Sequence, residues 1–321
     1  MPRTSGPGPE NNGGTDAAGE HTGAARRGFF RIAAGTAALT GLTATALTVQ
    51  VGTAAAEPAA TRKPGKRRGI PTESISVQMY TLREAAAADL EGTLAGLADI
   101  GYTKIETAGF YGRSAAEFKS LLDKHGLKAT SGHHGIPQPF DADAWATQLK
   151  DANTLGYTYI NVPSGPNGST EKHWRDFAAD LTTAGRQAAK AGLKFGYHNH
   201  HYEFARLADA DKRAYDVLIE RTDPRYVHFE LDLFWSWRGA QDPTPLITDN
   251  RNHRFPQFHV KDMNLDGQFE DVGLGLIDFR PTFAAALPAK RVEFIVEHDS
   301  AGADALDHVR RSFEHLSALE Y

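Results

Sequence analysis

The chain has 321 residues, 40% of them hydrophobic, which is length enough for one barrel or for two smaller domains with full cores. Its formal net charge of -5 gives no bulk attraction for nucleic acid, and its 14 histidines gather late in the chain instead of forming a basic stripe. There is no cysteine, so disulfides and thiolate chemistry are excluded and any metal must rest on nitrogen and oxygen ligands.

In chain order, the stretch up to Ala25 is rich in Gly, Pro, Asn and Thr, has no apolar periodicity and is expected to be disordered. Arg26-Arg27-Gly28-Phe29-Phe30-Arg31 then leads into a weakly hydrophobic run from Ile32 to Val51, and Ala54-Ala55-Ala56 precedes Glu57. A charged segment, an apolar run and a small-residue cleavage site in that order make a signal peptide over residues 1–56. The arginine pair followed by Gly and Phe resembles a twin-arginine export signal, which implies that the twin-arginine machinery carries the protein out already folded. The apolar run is also long enough for a membrane anchor, but its low hydrophobicity and the alanines after it favour cleavage. Residues 57–73 form a basic Pro/Gly linker, which places the folded domain at 74–321 and the mature protein outside the cell or in its envelope.

From Ile75 onward, short β-rich runs alternate with amphipathic Ala/Leu stretches, the pattern of parallel strands joined by crossover helices. Eight strands are expected, near Ile75, Tyr102, Leu127, Tyr157, Leu193, Tyr226, Phe255 and Val292. Helices are expected at 90–100, 115–125, 145–155, 174–191, 214–221 and 303–316. At four joints a glycine, Gly101, Gly126, Gly156 or Gly192, suits the left-handed position that closes an α-helix. Eight such units in roughly 250 residues are the size of an α/β (β/α)8 barrel. An open doubly wound sheet would carry a glycine-rich phosphate loop after its first strand, and Tyr80-Thr81-Leu82-Arg83-Glu84 is not one.

A barrel puts its chemistry at the C-terminal ends of its strands, and polar residues concentrate there. The fifth expected strand ends in Tyr197-His198-Asn199-His200, the sixth in Glu230-Leu231-Asp232, the seventh in His259-Val260-Lys261-Asp262 and the eighth in Glu297-His298-Asp299. Alternation makes His198 and His200, Glu230 and Asp232, His259 and Lys261, and Glu297 and Asp299 same-face pairs. Imidazoles and carboxylates from four neighbouring strands can thus meet at one point, a ligand mix suited to Mn, Co, Zn or Mg. Each residue also has a plain structural reading: a hydrogen-bonded histidine, Asp262 or Asp299 capping the next helix, Lys261 in an ion pair. Asp232 and Glu297 are the strongest ligand candidates, because both follow apolar strand segments where an unpaired carboxylate is costly.

Five segments together resemble the sugar phosphate isomerase/epimerase family with its xylose isomerase-like TIM barrel, from about Ile75 to the C-terminus. They are YHNHHYEF from Tyr197, FELDLFW from Phe229 with Gly239 and Asp242-Pro243 after it, FHVKDM from Phe258, VGLGLIDF from Val272 and FIVEHD from Phe294. The resemblance implies a divalent metal held by Glu, Asp, His and Glu from strands five to eight, and Asp232, His259 and Glu297 match the last three. At the first position stands His198: either it replaces the glutamate as ligand, or Glu203, five residues on, reaches back. The implied reaction is isomerisation or epimerisation of a sugar or keto-sugar. Elimination from a 3-keto-glycoside and dehydration of a keto-inositol are the alternatives. All of these remove a proton beside a carbonyl and must stabilise the enediolate. On this resemblance Glu203 or His200 is the base, Lys261, His134 and Glu106 contact hydroxyls, and Trp235 with Trp237 walls a sugar face.

Two other readings use the same residues. A nuclease of the endonuclease IV type needs a basic surface for the phosphate backbone, which the acidic balance opposes. A non-catalytic sugar-binding barrel has no use for Asp232, His259 and Glu297 together, since buried charges need partners. A phosphate-free substrate is expected, because export removes the enzyme from cellular sugar phosphates and no phosphate loop opens a helix.

Overall fold

The computed structural model describes residues 68–321 except 167, 251–253, 287, 289 and 290. The expected signal peptide and most of the linker lie outside the described residues.

Eight strands and their helices follow one another as the alternation predicts. The chain runs β1 (Ile75–Gln78), α1 (Arg83–Ala88), α2 (Leu90–Ile100), β2 (Lys104–Thr107), α3 (Ala115–Lys124), β3 (Lys128–Gly132), α4 (Ala142–Leu155) and β4 (Tyr159–Val162). It continues through α5 (Glu171–Lys190), β5 (Lys194–His198), α6 (Ala214–Arg221), β6 (Val227–Asp232), α7 (Leu233–Arg238), α8 (Pro243–Asp249) and β7 (Gln257–Val260). A two-stranded hairpin, β8 (Asp262–Met263) and β9 (Phe269–Glu270), precedes α9 (Arg280–Ala285), the last barrel strand β10 (Glu293–Val296) and α10 (Ala305–Ala318).

Local chemistry sets the helix limits. Asp89 accepts the Gly92 N–H at the start of α2, Ser114 and Glu117 form a reciprocal capping box on α3, and Asp141 caps α4. Gly101 (φ 114°) and Gly156 (φ 82°) end α2 and α4 in the left-handed region, as their place in the sequence requires.

The barrel strands are hydrogen-bonded in parallel in the order β3-β2-β1-β10-β7-β6-β5-β4. The two edge strands also meet: the Thr158 N–H donates to Thr130 O at 2.8 Å, and His133 pairs with Asn161, so the barrel is nearly closed. Strand alternation then sorts the side chains. Val77, Ile105, Phe195, Tyr197, Phe229, Leu231, Phe258 and Phe294 are buried in the apolar core, with Tyr197 against Phe177 of α5 and Phe294 against Phe283 of α9. Their neighbours Gln78, Glu106, Asn161, Glu230, Gln257 and His259 are equally buried but point into the lumen, where they bond to one another. The inside of this barrel is therefore polar, and so many buried polar groups are tolerable only when paired.

Candidate metal centre

Four donor-bearing side chains meet at the C-terminal end of the lumen. His198 ends β5, Asp232 ends β6, His259 lies on β7 and Glu297 follows β10; one ligand atom from each lies within 4.8 Å of the others. All four are buried. Register explains the meeting, because Asp232 pairs with His259 and His259 with Ile295, so residues two apart on adjacent strands point to the same side.

Within this tetrad, His259 Nδ1 is 2.6 Å from Glu297 Oε2, and His198 Nε2 is 3.7 Å from Asp232 Oδ2. The Lys261 ammonium lies 3.0 Å from Asp232 Oδ2, 2.7 Å from Glu297 Oε2 and 3.1 Å from Asp299 Oδ1. Burial works against the charge on Lys261, but the carboxylates of Asp232, Glu297 and Asp299 hold its pKa above the ordinary value. Burial and then Glu297 push Asp299 up to about 7.

The fit of these residues to a divalent ion rests on two observations. Asp232 Oδ2 is buried without a hydrogen-bond partner, its cationic neighbour being Lys261. The donors are two imidazole nitrogens and two carboxylate oxygens, a set that borderline divalent ions accept readily. Another group, Asp271, His298 and His308, could also gather a cation, but Arg311 already holds Asp271.

Around the tetrad, His200 and Trp235 border the site, their rings 5.4 Å apart. Buried Nδ1 of His200 and Nε1 of Trp235 have no hydrogen-bond partner, so each can meet a polar ligand atom. Burial and then Lys261 lower the His200 pKa to about 3, which keeps the ring neutral. Phe269 of the hairpin packs 5.6 Å from Trp235 and brings a second aromatic face. The loop that carries it is gathered by Asp262, whose carboxylate accepts the N–H groups of Met263, Gly273, Gly275 and Ile277 at 2.8–3.1 Å. Asp262 thus organises a loop and caps no helix.

Four residues singled out in the sequence are placed elsewhere. Glu203 sits in a short turn after β5, where Oε1 accepts the Tyr197 hydroxyl at 2.6 Å and Oε2 the His200 N–H at 2.9 Å. Tyr197 points out of the barrel, so Glu203 pins the loop, and it is His198 that completes the tetrad. Glu106 is fully buried one layer below, bonded to Gln78 Nε2, Asn161 Nδ2 and His259 Nε2, and does not reach the mouth. His134 turns towards Phe110 and Tyr157 outside the lumen, and Trp237 is 40% exposed on α7. The histidine that enters the lumen here is His133, one residue past β3, which the sequence alone does not single out. Alternation groups Ser131 with His133 but does not say which face of a doubly buried strand looks inward.

Comparison with known proteins agrees with the barrel fold. A family model described as xylose isomerase-like TIM barrel matches residues 94–319. The inosose dehydratase of Geobacillus kaustophilus is 22% identical over 269 residues, covering 70% of this chain and 86% of that protein. A sugar phosphate isomerase/epimerase from Parabacteroides distasonis superposes with a TM-score of 0.67 at 23% identity, over 76% of this chain and 98% of that one. A second such protein from the same organism gives a TM-score of 0.65 at 25% identity, over 77% and 95%.

Proposed function

Since the chain belongs to the xylose isomerase-like TIM barrel family, we propose that it is a divalent-metal-dependent isomerase or epimerase. It moves a proton on a carbon next to the carbonyl of a sugar or keto-sugar. The observation that carries this reading is the convergence of His198, Asp232, His259 and Glu297 within 4.8 Å at the strand ends.

These four residues hold the ion, and their two imidazoles suit Mn, Co or Zn better than Mg. When bound, a divalent ion supplies a Lewis acid for a substrate oxygen. Trp235 Nε1–H donates to a substrate hydroxyl and His200 Nδ1 bonds another, while Trp235 and Phe269 keep water from the sugar face. Asp299, with a side chain 20% exposed and hydrogen bonds of 3.1 and 3.2 Å from Lys261, takes the proton from carbon; Lys261 holds its carboxylate in place.

A second reading, loss of water from a keto-cyclitol, is favoured by the likeness to an inosose dehydratase across 86% of that protein. Both begin with the same proton removal, so one experiment separates them. The purified protein is assayed before and after chelation on ketoses, inososes and 3-keto-glycosides in deuterated water. Metal-dependent exchange at the carbon beside the carbonyl supports the proposal, and the product distinguishes isomer, epimer or eliminated product. Sugar binding without exchange in metal-loaded protein overturns it. The Arg26-Arg27 segment further supports export by the twin-arginine route. Replacing both arginines with lysine should retain the protein in the cytoplasm; unchanged export would overturn that assignment.

A further inference from the structure

Each imidazole of the tetrad has a second nitrogen, and both second nitrogens meet a carboxylate one layer deeper. His259 Nε2 lies 2.7 Å from Glu106 Oε2, and His198 Nδ1 lies 3.2 Å from Glu230 Oε2. An imidazole that ligates through one nitrogen carries its proton on the other, and the acceptor of that proton fixes the ring's orientation.

The two carboxylates are themselves braced. Gln78 Nε2 donates to Glu106 Oε2 at 2.8 Å, and Asn161 Nδ2 lies 3.2 Å from Glu106 Oε1 and 2.5 Å from Glu230 Oε1. His133 Nε2 stands between them, 2.7 Å from Glu230 Oε2 and 3.3 Å from Glu106 Oε2. Its ring also stacks on His259 at 5.3 Å and lies 4.9 Å from that of His198. His133 therefore touches both carboxylates and both imidazoles while giving no atom to the tetrad.

Resting on the metal-dependent reading above, we propose that Glu106 and Glu230 are positioning residues. They hold His259 through Nε2 and His198 through Nδ1, leaving Nδ1 and Nε2 respectively to the ion, and His133 locks the pair into one support. His133, His198, Glu230 and His259 also come within 4.8 Å of one another, as a second ion would require. That ion would strip both bridging imidazoles of their remaining proton, the proton Glu106 and Glu230 are placed to accept. Support is the reading the geometry favours.

The test uses the full chain and Co(II), whose visible absorption reports ligand geometry, together with circular dichroism of the metal-free proteins. Wild type should bind one Co(II) at the tetrad. Glu106→Leu and Glu230→Leu should weaken it about 10- to 100-fold and alter the spectrum. Glu106→Gln and Glu230→Gln keep an accepting oxygen without its charge, so they should recover part of the loss; they decide the matter where a leucine variant fails to fold. His133→Gln should perturb the same absorption band although it removes no ligand. Wild-type affinity and spectrum in the folded glutamine variants and in His133→Gln overturn the proposal, as do two Co(II) per wild-type chain. No Co(II) binding by wild type overturns the metal-dependent reading itself, and this assignment with it.

Discussion

The Lys261 ammonium lies 2.7 Å from Glu297 Oε2, inside the circle of groups assigned to the ion. It also contacts Asp232 Oδ2 at 3.0 Å, so one cation already offsets two ligand carboxylates. Removing it by Lys261→Met strips buried Asp232 of its ammonium partner and leaves Glu297 with His259, which costs about 3–5 kcal/mol in the metal-free protein. A divalent ion compensates the same charges, so metal should raise the melting temperature of Lys261→Met by more than it raises that of wild type. Equal increments would mean that Lys261 and the ion do not share the carboxylates.

Asp299 is assigned the proton, and it gives no atom to the tetrad. Asp299→Asn should therefore keep metal stoichiometry while slowing hydrogen exchange beside the carbonyl by roughly 10²- to 10⁴-fold. Exchange at the wild-type rate would move the base to His200, whose buried Nδ1 has no hydrogen-bond partner.

The fold was legible because helix ends and strand periods are local. Gly101, Gly126, Gly156 and Gly192 all adopt positive φ, as left-handed caps do, and α2 and α6 span the expected residues. The short helices α1, α7, α8 and α9 escaped notice: at six or seven residues they show little periodicity, and α7 starts directly on Asp232, which is at once strand end, cap and ligand candidate. At the site, strand order and alternation brought His198, Asp232, His259 and Glu297 together. Depth and direction were harder. Whether Glu106 reaches the mouth or lies beneath it depends on barrel stagger, and whether Glu203 turns inward depends on a loop bonded to Tyr197. Neither is written in local spacing. His134→Gln, on the outward face, should leave Co(II) binding unchanged, in contrast to His133→Gln; loss of binding in His134→Gln would contradict the placement of that ring.

Glu203 sets a pH dependence of stability. Burial raises its pKa from the ordinary 4.5 to about 7, with the Tyr197 hydroxyl and His200 N–H working in the opposite direction. The folded protein thus keeps a proton that the unfolded chain releases between pH 4.5 and 7. The stabilisation is full below pH 4.5 and is lost as pH rises towards 7, up to about 3 kcal/mol from this group. Glu203→Gln cannot titrate, so urea unfolding across this window should show a flatter decline than wild type. Parallel curves for the two proteins would show that Glu203 carries no such shift.

The VGLG segment, which in the sequence served only to mark a resemblance, has a steric reason at Gly275. A Cβ there would lie 2.3 Å from Asp262 Oδ1 and 2.6 Å from the Met263 carbonyl oxygen, and the second of these is backbone that cannot swing away. Asp262 needs that space to collect the four N–H groups that hold the loop and place Phe269 beside Trp235. Gly275→Ala should destabilise the protein by about 1–3 kcal/mol, the range for overpacking a tight site. Because the strain falls on the loop rather than on the barrel, tryptophan fluorescence should shift as Phe269 moves from Trp235, while Co(II) still binds at the tetrad. A wild-type emission spectrum in a destabilised Gly275→Ala protein would show that Phe269 is held by its stacking on Phe234, 4.5 Å away, and not by the loop.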